Sequence, residues 1–299
     1  LRCLAGLEQL ERGRIRFLGR TMTDGSSVLP PDQRGLGFVF QDSALWPHLS
    51  ARRQLRFADP GLARGDQLRL LAQVGLEDVA EQKPGELSGG ERKRLALARA
   101  LVGQPKILML DEPLHSVDVP LRDELGLLIR RIADERGLAL IVVTHDRDEA
   151  LAMADELLIL GDGRIVESGK AASLLANPRT AYAARFLCRA ACFPAKPGSG
   201  GTLATPFGAW PRPAVANGAM SLVVLPGDLG VARAPTERTP LGRVLSVLPV
   251  AGQAVASVEL SGQMIEVGCD ASTHAGDTLA LELLGEPRFL SDEEGGARS

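Results

Sequence analysis

The sequence predicts an α/β fold with a largely parallel sheet, followed by a small OB-like β-barrel, and three observations predict it. Unbroken apolar runs at 36–40 (LGFVF), 107–110 (ILML) and 138–143 (LALIVV) suit strands covered on both faces. Between them, 67–74, 91–102 and 121–133 carry apolar residues at helical spacing, so strands and helices alternate. From 241 to 284 the texture changes to short alternating runs, such as 254–260 and 264–267, separated by Gly-containing turns. That pattern is the one expected of a small antiparallel barrel.

Composition supports a folded chain of this kind. With 299 residues there is room for one large or two ordinary domains. Hydrophobic residues at 45% and charged ones at 24% suit a soluble protein with a real core. Aromatics are only 4%, so that core must be built from Leu, Val, Ile and Ala. A formal net charge of −3 gives no general pull toward nucleic acid or an anionic membrane. No run approaches ~18 uninterrupted apolar residues, so no transmembrane helix is expected. Cys188 and Cys192, if helical, would share a face, but no His or second Cys pair completes the four ligands of a structural zinc. With Cys3 and Cys269 they read as buried or half-buried thiols of a reducing cytosol.

Within the first part, 157–160 and 164–167 flank Gly161-Asp162-Gly163, a predicted hairpin with Asp-Gly at its turn. After Arg189 the stretches 195–201 (AKPGSGG) and 206–213 are rich in Gly and Pro and read as a linker or boundary. The expected organisation is therefore a first domain over 1–190, a linker and start of an accessory region over 191–240, and a barrel over 241–290.

Each of the three apolar runs ends in polar residues: Gln41, Asp111-Glu112, and Thr144-His145. Open α/β sheets bind ligands at the carboxyl ends of their strands, so these residues are expected to converge on one crevice. Asp111 at the end of a buried strand suits a hydrated Mg²⁺, which prefers hard oxygen ligands. The adjacent Glu112 would orient a water for attack on a phosphate. Read alone, Asp111-Glu112-Pro113 is also a polar turn after a strand. Segment 87–91 (LSGGE) opens a helix: Ser88 caps it and Glu91 reciprocates. Gly89 and Gly90 are not needed for a cap. Glycines there let the backbone approach a ligand, and a helix N-terminus suits phosphate. His145, beside such a site, would hydrogen-bond a γ-phosphate or the attacking water.

These residues together resemble the nucleotide-binding subunits of ABC transporters. Gln41 resembles the Q-loop glutamine and Ser88-Gly89-Gly90-Glu91 the family signature. The run from Ile107 to Asp111 resembles Walker B, with Glu112 as the catalytic glutamate. Asp118 resembles the D-loop aspartate, and His145 the switch histidine. The resemblance implies an α/β P-loop NTPase-type ATPase domain that binds ATP and Mg²⁺, with Asp111 and Gln41 on the metal. It implies a head-to-tail dimer with a second ATPase subunit, ATP lying between the signature of one and the P-loop of the other. The segment from Trp46 to Ser50 (WPHLS) resembles the contact with transmembrane permease subunits, which would work with a periplasmic solute-binding protein. The C-terminal barrel resembles the TOBE domain of bacterial importers, with 225–229 (LPGDL) and 262–267 among the matching features.

The resemblance implies a peripheral subunit on the cytoplasmic face of the inner membrane, energising import of a small solute such as ferric ion, an inorganic anion or a polyamine. No nucleic-acid partner is expected. Two departures stand out. No G-x-x-x-x-G-K-[ST] segment occurs, and 1–8 (LRCLAGLE) resembles the helix directly after that loop. The expectation is an N-terminal truncation after Walker A, leaving these 299 residues inactive by themselves. In 114–118 (LHSVD), His115 stands where relatives more often have Ser or Gly. The alternatives are a non-catalytic remnant or a soluble ABC ATPase acting on nucleic acid.

Overall fold

A computed structural model describes residues 1–24, 28–213 and 219–292. They divide into two compact units, Leu1–Ala154 and Asp155–Ser299.

The first unit contains α1 (Arg2–Ala5), the hairpin β1 (Ile15–Phe17) and β2 (Arg20–Thr23), β3 (Leu36–Val39), α2 (Ala51–Ala58), α3 (Arg64–Gln73), α4 (Gly89–Ala100), β4 (Ile107–Asp111), α5 (Val119–Arg136), β5 (Ala139–Val143) and α6 (Arg147–Met153). Strands β3, β4 and β5 form a parallel sheet with β4 in the middle. The two faces of β4 explain why its sequence is an unbroken apolar run. Leu108 and Leu110 pack with Leu55, Leu71, Leu95, Leu97 and Ile132 from the helices. Ile107 and Met109 point the other way, to Ala5, Phe17, Leu36 and Phe38. Fully burying a Leu or Met contributes about 1.5–3 kcal/mol, so this strand anchors the unit.

Local signals set the helix ends. Asp118 and Pro120 open α5 and Gly137, at φ 61°, ends it in the left-handed conformation glycine favours. The helix is therefore longer at both ends than its apolar spacing alone predicts. Ser50 caps α2 by accepting from the Arg53 amide. Gly37 in β3 is required by close approach: a Cβ there would lie 2.4 Å from the Ala100 carbonyl oxygen at the end of α4. The N-terminal segment is tied down by buried Arg34, whose guanidinium donates to the carbonyls of Leu4 (2.7 Å) and Leu29 (2.8 Å) and to Thr23 Oγ1 (2.9 Å).

The second unit opens with the hairpin β6 (Glu156–Gly161) and β7 (Arg164–Lys170), then α7 (Ala171–Ala176) and α8 (Ala181–Cys188). The turn has positive φ at Asp162 and Gly163, as the Asp-Gly signal predicts. Buried Glu167 accepts from the Arg179 amide (3.0 Å) and Thr180 Oγ1 (3.2 Å). Strands β8 (Ala191–Pro197), β9 (Thr202–Thr205), β10 (Gly208–Pro211), β11 (Met220–Val224) and β12 (Leu229–Val231) follow. The last are β13 (Leu241–Val250), β14 (Gln253–Leu260), β15 (Gln263–Cys269), β16 (Thr278–Leu283) and β17 (Arg288–Ser291).

They make two antiparallel sheets, ordered β10-β9-β8-β11-β17 and β12-β16-β13-β14-β15. Phe193, Leu222 and Val224 of the first share a core with Val244, Ala256, Val258, Val267 and Leu281 of the second. In the second sheet β12 also lies beside β15, which curls it toward a barrel. The stretch 191–240, expected to begin as a linker, instead supplies five strands of this β domain. Its glycines make the tight turn at 198–201, and β9, β10 and β12, of three or four residues, are too short for alternation to show.

The division at Ala154 also groups 155–190 with the β domain. Ala181 and Ala184 of α8 pack on Cys192 and Val223. Cys188 and Cys192 share no helix face: α8 ends at Cys188, Arg189 turns left-handed (φ 53°), and Cys192 lies in β8. All four cysteines are free thiols. Among the described residues no helix is long and apolar enough to cross a membrane.

Candidate functional site

The carboxyl ends of β3, β4 and β5 bring their polar residues together within the first unit. Glu112 lies one residue past β4, in a left-handed conformation (φ 45°) that a residue with a Cβ adopts only under constraint. Its amide donates to the Val143 carbonyl at the end of β5 (2.9 Å), which ties the turn to the neighbouring strand. Gln41 Nε2 donates to Glu112 Oε2 (2.7 Å), and His145 Nδ1 lies 3.1 Å from Glu112 Oε1. The three strand-end residues picked out from sequence thus meet on a single carboxylate. The carboxylate of Asp111, half-buried beside it, forms no hydrogen bond or ion pair with the described residues, leaving its oxygens open to a hard cation.

Supporting groups surround this cluster, and apart from Thr144 sequence reading did not single them out. Lys93, on α4, donates from Nζ to the Gln41 carbonyl and so holds the strand end that carries Gln41. Burial lowers its ammonium pKa, an effect opposed by the negative charges of Asp42, Glu149 and Glu112. Behind His145, Thr144 Oγ1 donates to Glu149 Oε2 (2.7 Å), while the Asp146 amide donates to Thr144 Oγ1 (3.0 Å). Asp146 caps α6, accepting from the Asp148 (2.9 Å) and Glu149 (3.1 Å) amides, and pairs with Arg122 (2.7 Å). Those bonds, the Glu149 amide first, hold its carboxyl below the usual carboxylate range. Glu149 is the opposite case: it is buried, one of its oxygens lacks a partner, and desolvation pushes its pKa up. The only signal for these residues in the sequence is the Asp146–Glu149 capping spacing.

The signature-like segment forms the expected capping box: the Glu91 amide donates to Ser88 Oγ (3.2 Å) and the Ser88 amide to Glu91 Oε2 (2.7 Å). Its glycines differ in surroundings. Gly89 is exposed, and a Cβ there would meet only Arg92 Nη2 at 3.9 Å, whereas a Cβ on Gly90 would lie 2.4 Å from Leu121 Cδ2, so Leu121 of α5 would have to shift to admit it. Asp118 is exposed at the start of α5 and makes no side-chain cap bond. Ser88, Glu91 and Asp118 share no hydrogen bond or ion pair with Gln41, Glu112 or His145.

The Trp46–Ser50 turn is a built feature. Gln54, fully buried on α2, donates to the carbonyls of Trp46 (2.6 Å) and Leu49 (3.2 Å) and accepts from the Trp46 amide (3.2 Å). The Trp46 ring stacks against Phe57 (4.4 Å between centroids) and takes the Arg99 guanidinium 4.9 Å from its centre. Arg99 also donates to the Ala44 (2.6 Å) and Ser43 (3.0 Å) carbonyls.

Residues 1–115 match the family model described as "ABC transporter". The first unit therefore contains a segment similar to the ABC transporter family. Among curated relatives, the Fe(3+) ions import ATP-binding protein FbpC of Pseudomonas fluorescens (strain Pf0-1) is 39% identical over 200 residues, covering 66% of this chain and 57% of that protein. The spermidine/putrescine import ATP-binding protein PotA of the same strain is 39% identical over 193 residues, 62% of this chain and 52% of that one. The sn-glycerol-3-phosphate import ATP-binding protein UgpC of Chromohalobacter salexigens is 36% identical, covering 62% and 51%. The chain spans little more than half the length of these relatives.

Proposed function

We propose that this chain supplies the ATP-hydrolysing machinery of a bacterial ABC importer for a small solute. The observation that carries the reading is the single carboxylate, Glu112, held by Gln41 and His145 at the carboxyl edge of the parallel sheet. A carboxylate oriented on both oxygens is suited to polarise a water for attack on a phosphoryl group. His145 would sense and stabilise charge on the γ-phosphate. Asp111, unpaired and half-buried, and Gln41 suit a hydrated Mg²⁺ in ligand chemistry; the metal would neutralise charge on the transferring phosphate.

The relatives' names support ATP binding and import and differ in solute, so ferric ion, an inorganic anion or a polyamine all fit the reading. In the same reading Ser88, Gly89, Gly90, Glu91 and Asp118 face a second ATPase subunit across shared ATP. That suits the exposure of Ser88, Gly89 and Asp118 and the lack of bonds from Ser88, Glu91 and Asp118 to the Glu112 cluster within one chain. The ring-stacked turn at Trp46 would contact transmembrane permease subunits at the cytoplasmic face of the inner membrane, with a periplasmic solute-binding protein delivering cargo. The ATPase domain would run to about residue 190 and the β domain would be the accessory TOBE module.

The decisive experiment is Glu112→Gln in the complete gene product. Nucleotide binding is expected to persist while kcat falls by roughly 10²–10⁴, the usual worth of a positioned acid–base group. Unchanged turnover removes Glu112 as the base.

A further inference from the structure

The turn that carries Glu112 brings a third metal-ligating side chain to it. The His115 amide donates to the Glu112 carbonyl (3.2 Å), closing a tight turn, and Ser116 follows with φ 60°. This folds His115 back so that its Nδ1 lies 3.7 Å from Glu112 Oε2, while His145 Nδ1 lies 3.1 Å from Oε1. The two imidazoles face each other edge to face, 5.5 Å between centroids. One ligand atom from each of Glu112, His115 and His145 lies within 4.8 Å of the others.

From these residues we propose that Glu112, His115 and His145 form a Zn²⁺ site whose occupancy withdraws Glu112 from hydrolysis. A tetrahedral zinc with bonds of about 2.0–2.1 Å holds its ligands roughly 3.3 Å apart, so the observed spacing closes with small side-chain rotations. Two imidazoles and one carboxylate leave a fourth position for water, and this set selects a borderline transition metal over Mg²⁺, which takes oxygen ligands. Both histidines are solvent-accessible, 45% for His115 and 67% for His145, which gives the ion a path in. Gln41, donating to Glu112 Oε2, serves as the outer partner that fixes the carboxylate. His115 is the distinguishing residue: without it, Glu112 and His145 offer only two ligands. Inhibition by zinc rests on the function proposed above; zinc binding does not.

The test uses the complete gene product free of nucleotide, with Zn²⁺ followed by calorimetry and Co²⁺ by its visible spectrum. One equivalent is expected, with the intense visible bands of a four-coordinate site. His115→Ser should weaken binding by at least 10–100-fold, the loss typical of disturbing even an outer partner. His274→Ser, in the other unit, should leave it unchanged. Equal binding by wild type and His115→Ser, or equal loss with His274→Ser, overturns the site. Imidazole ¹⁵N spectra give an independent reading: two histidines should shift on adding Zn²⁺, and the absence of a shift at His115 also overturns it. In the turnover assay, free Zn²⁺ should slow wild type and spare His115→Ser. His115-dependent binding without slowing overturns the inhibitory role. No turnover even in the absence of zinc counts against the proposed function, while the Co²⁺ spectrum still decides the site.

Discussion

Gln54 is the most sharply testable element of the turn at Trp46. Replacing it with leucine removes two donated bonds and one accepted bond, all to backbone groups of Trp46 and Leu49. Each hydrogen bond contributes about 1 kcal/mol net, and more when its partner is left dry. Leucine nearly matches the volume, so no large cavity forms, and its apolar burial offsets part of the loss. Trp46 itself is only half-buried, so water can reach some of the freed groups. The net expectation is a loss of about 2 kcal/mol. The protein has two tryptophans, Trp46 and Trp210, so a Trp210→Phe background isolates the reporter. Urea unfolding followed by Trp46 emission should show a lower midpoint, with native emission shifted to the red as the ring loosens from Phe57 and Arg99. A change below about 0.5 kcal/mol with unaltered emission would refute the account, since ordinary surface substitutions do as little.

Two further outcomes follow from the same geometry. Gly37→Ala forces a Cβ to 2.4 Å from the Ala100 carbonyl, a backbone atom that cannot rotate away, and should cost about 1–3 kcal/mol in thermal or urea unfolding; a neutral result would mean β3 and α4 do not pack this closely. Glu149 has its pKa raised by burial, so the folded state binds its proton more tightly than the unfolded chain does. That term reduces stability as pH rises from the unfolded value through the folded one, and the reduction persists above it. Glu149→Gln should therefore raise Tm at pH 7–8 relative to pH 4 and still accept from Thr144. An identical pH dependence in wild type and variant would contradict the burial.

What the sequence alone determined is local or periodic. The runs 107–110 and 138–143 specify buried strands because residues on both pleat faces are apolar. Asp-Gly at 162–163 specifies its hairpin, and Ser88 with Glu91 specifies a helix start, because in each case the residues that satisfy the backbone lie within a few positions. The strand-end rule also brought Gln41, Asp111, Glu112 and His145 to one edge before any coordinates. Tertiary structure alone decided the rest. Whether Gly90 serves a ligand or a helix contact is not local: Leu121 lies 31 positions away and fills the space a Cβ would take. The strands β9, β10 and β12 were hidden because three or four residues show no alternation, and they gain their stability only from the sheets they join. Lys93 reaches the Gln41 carbonyl and His115 reaches Glu112 through side-chain directions and a left-handed turn, which no spacing in the chain encodes.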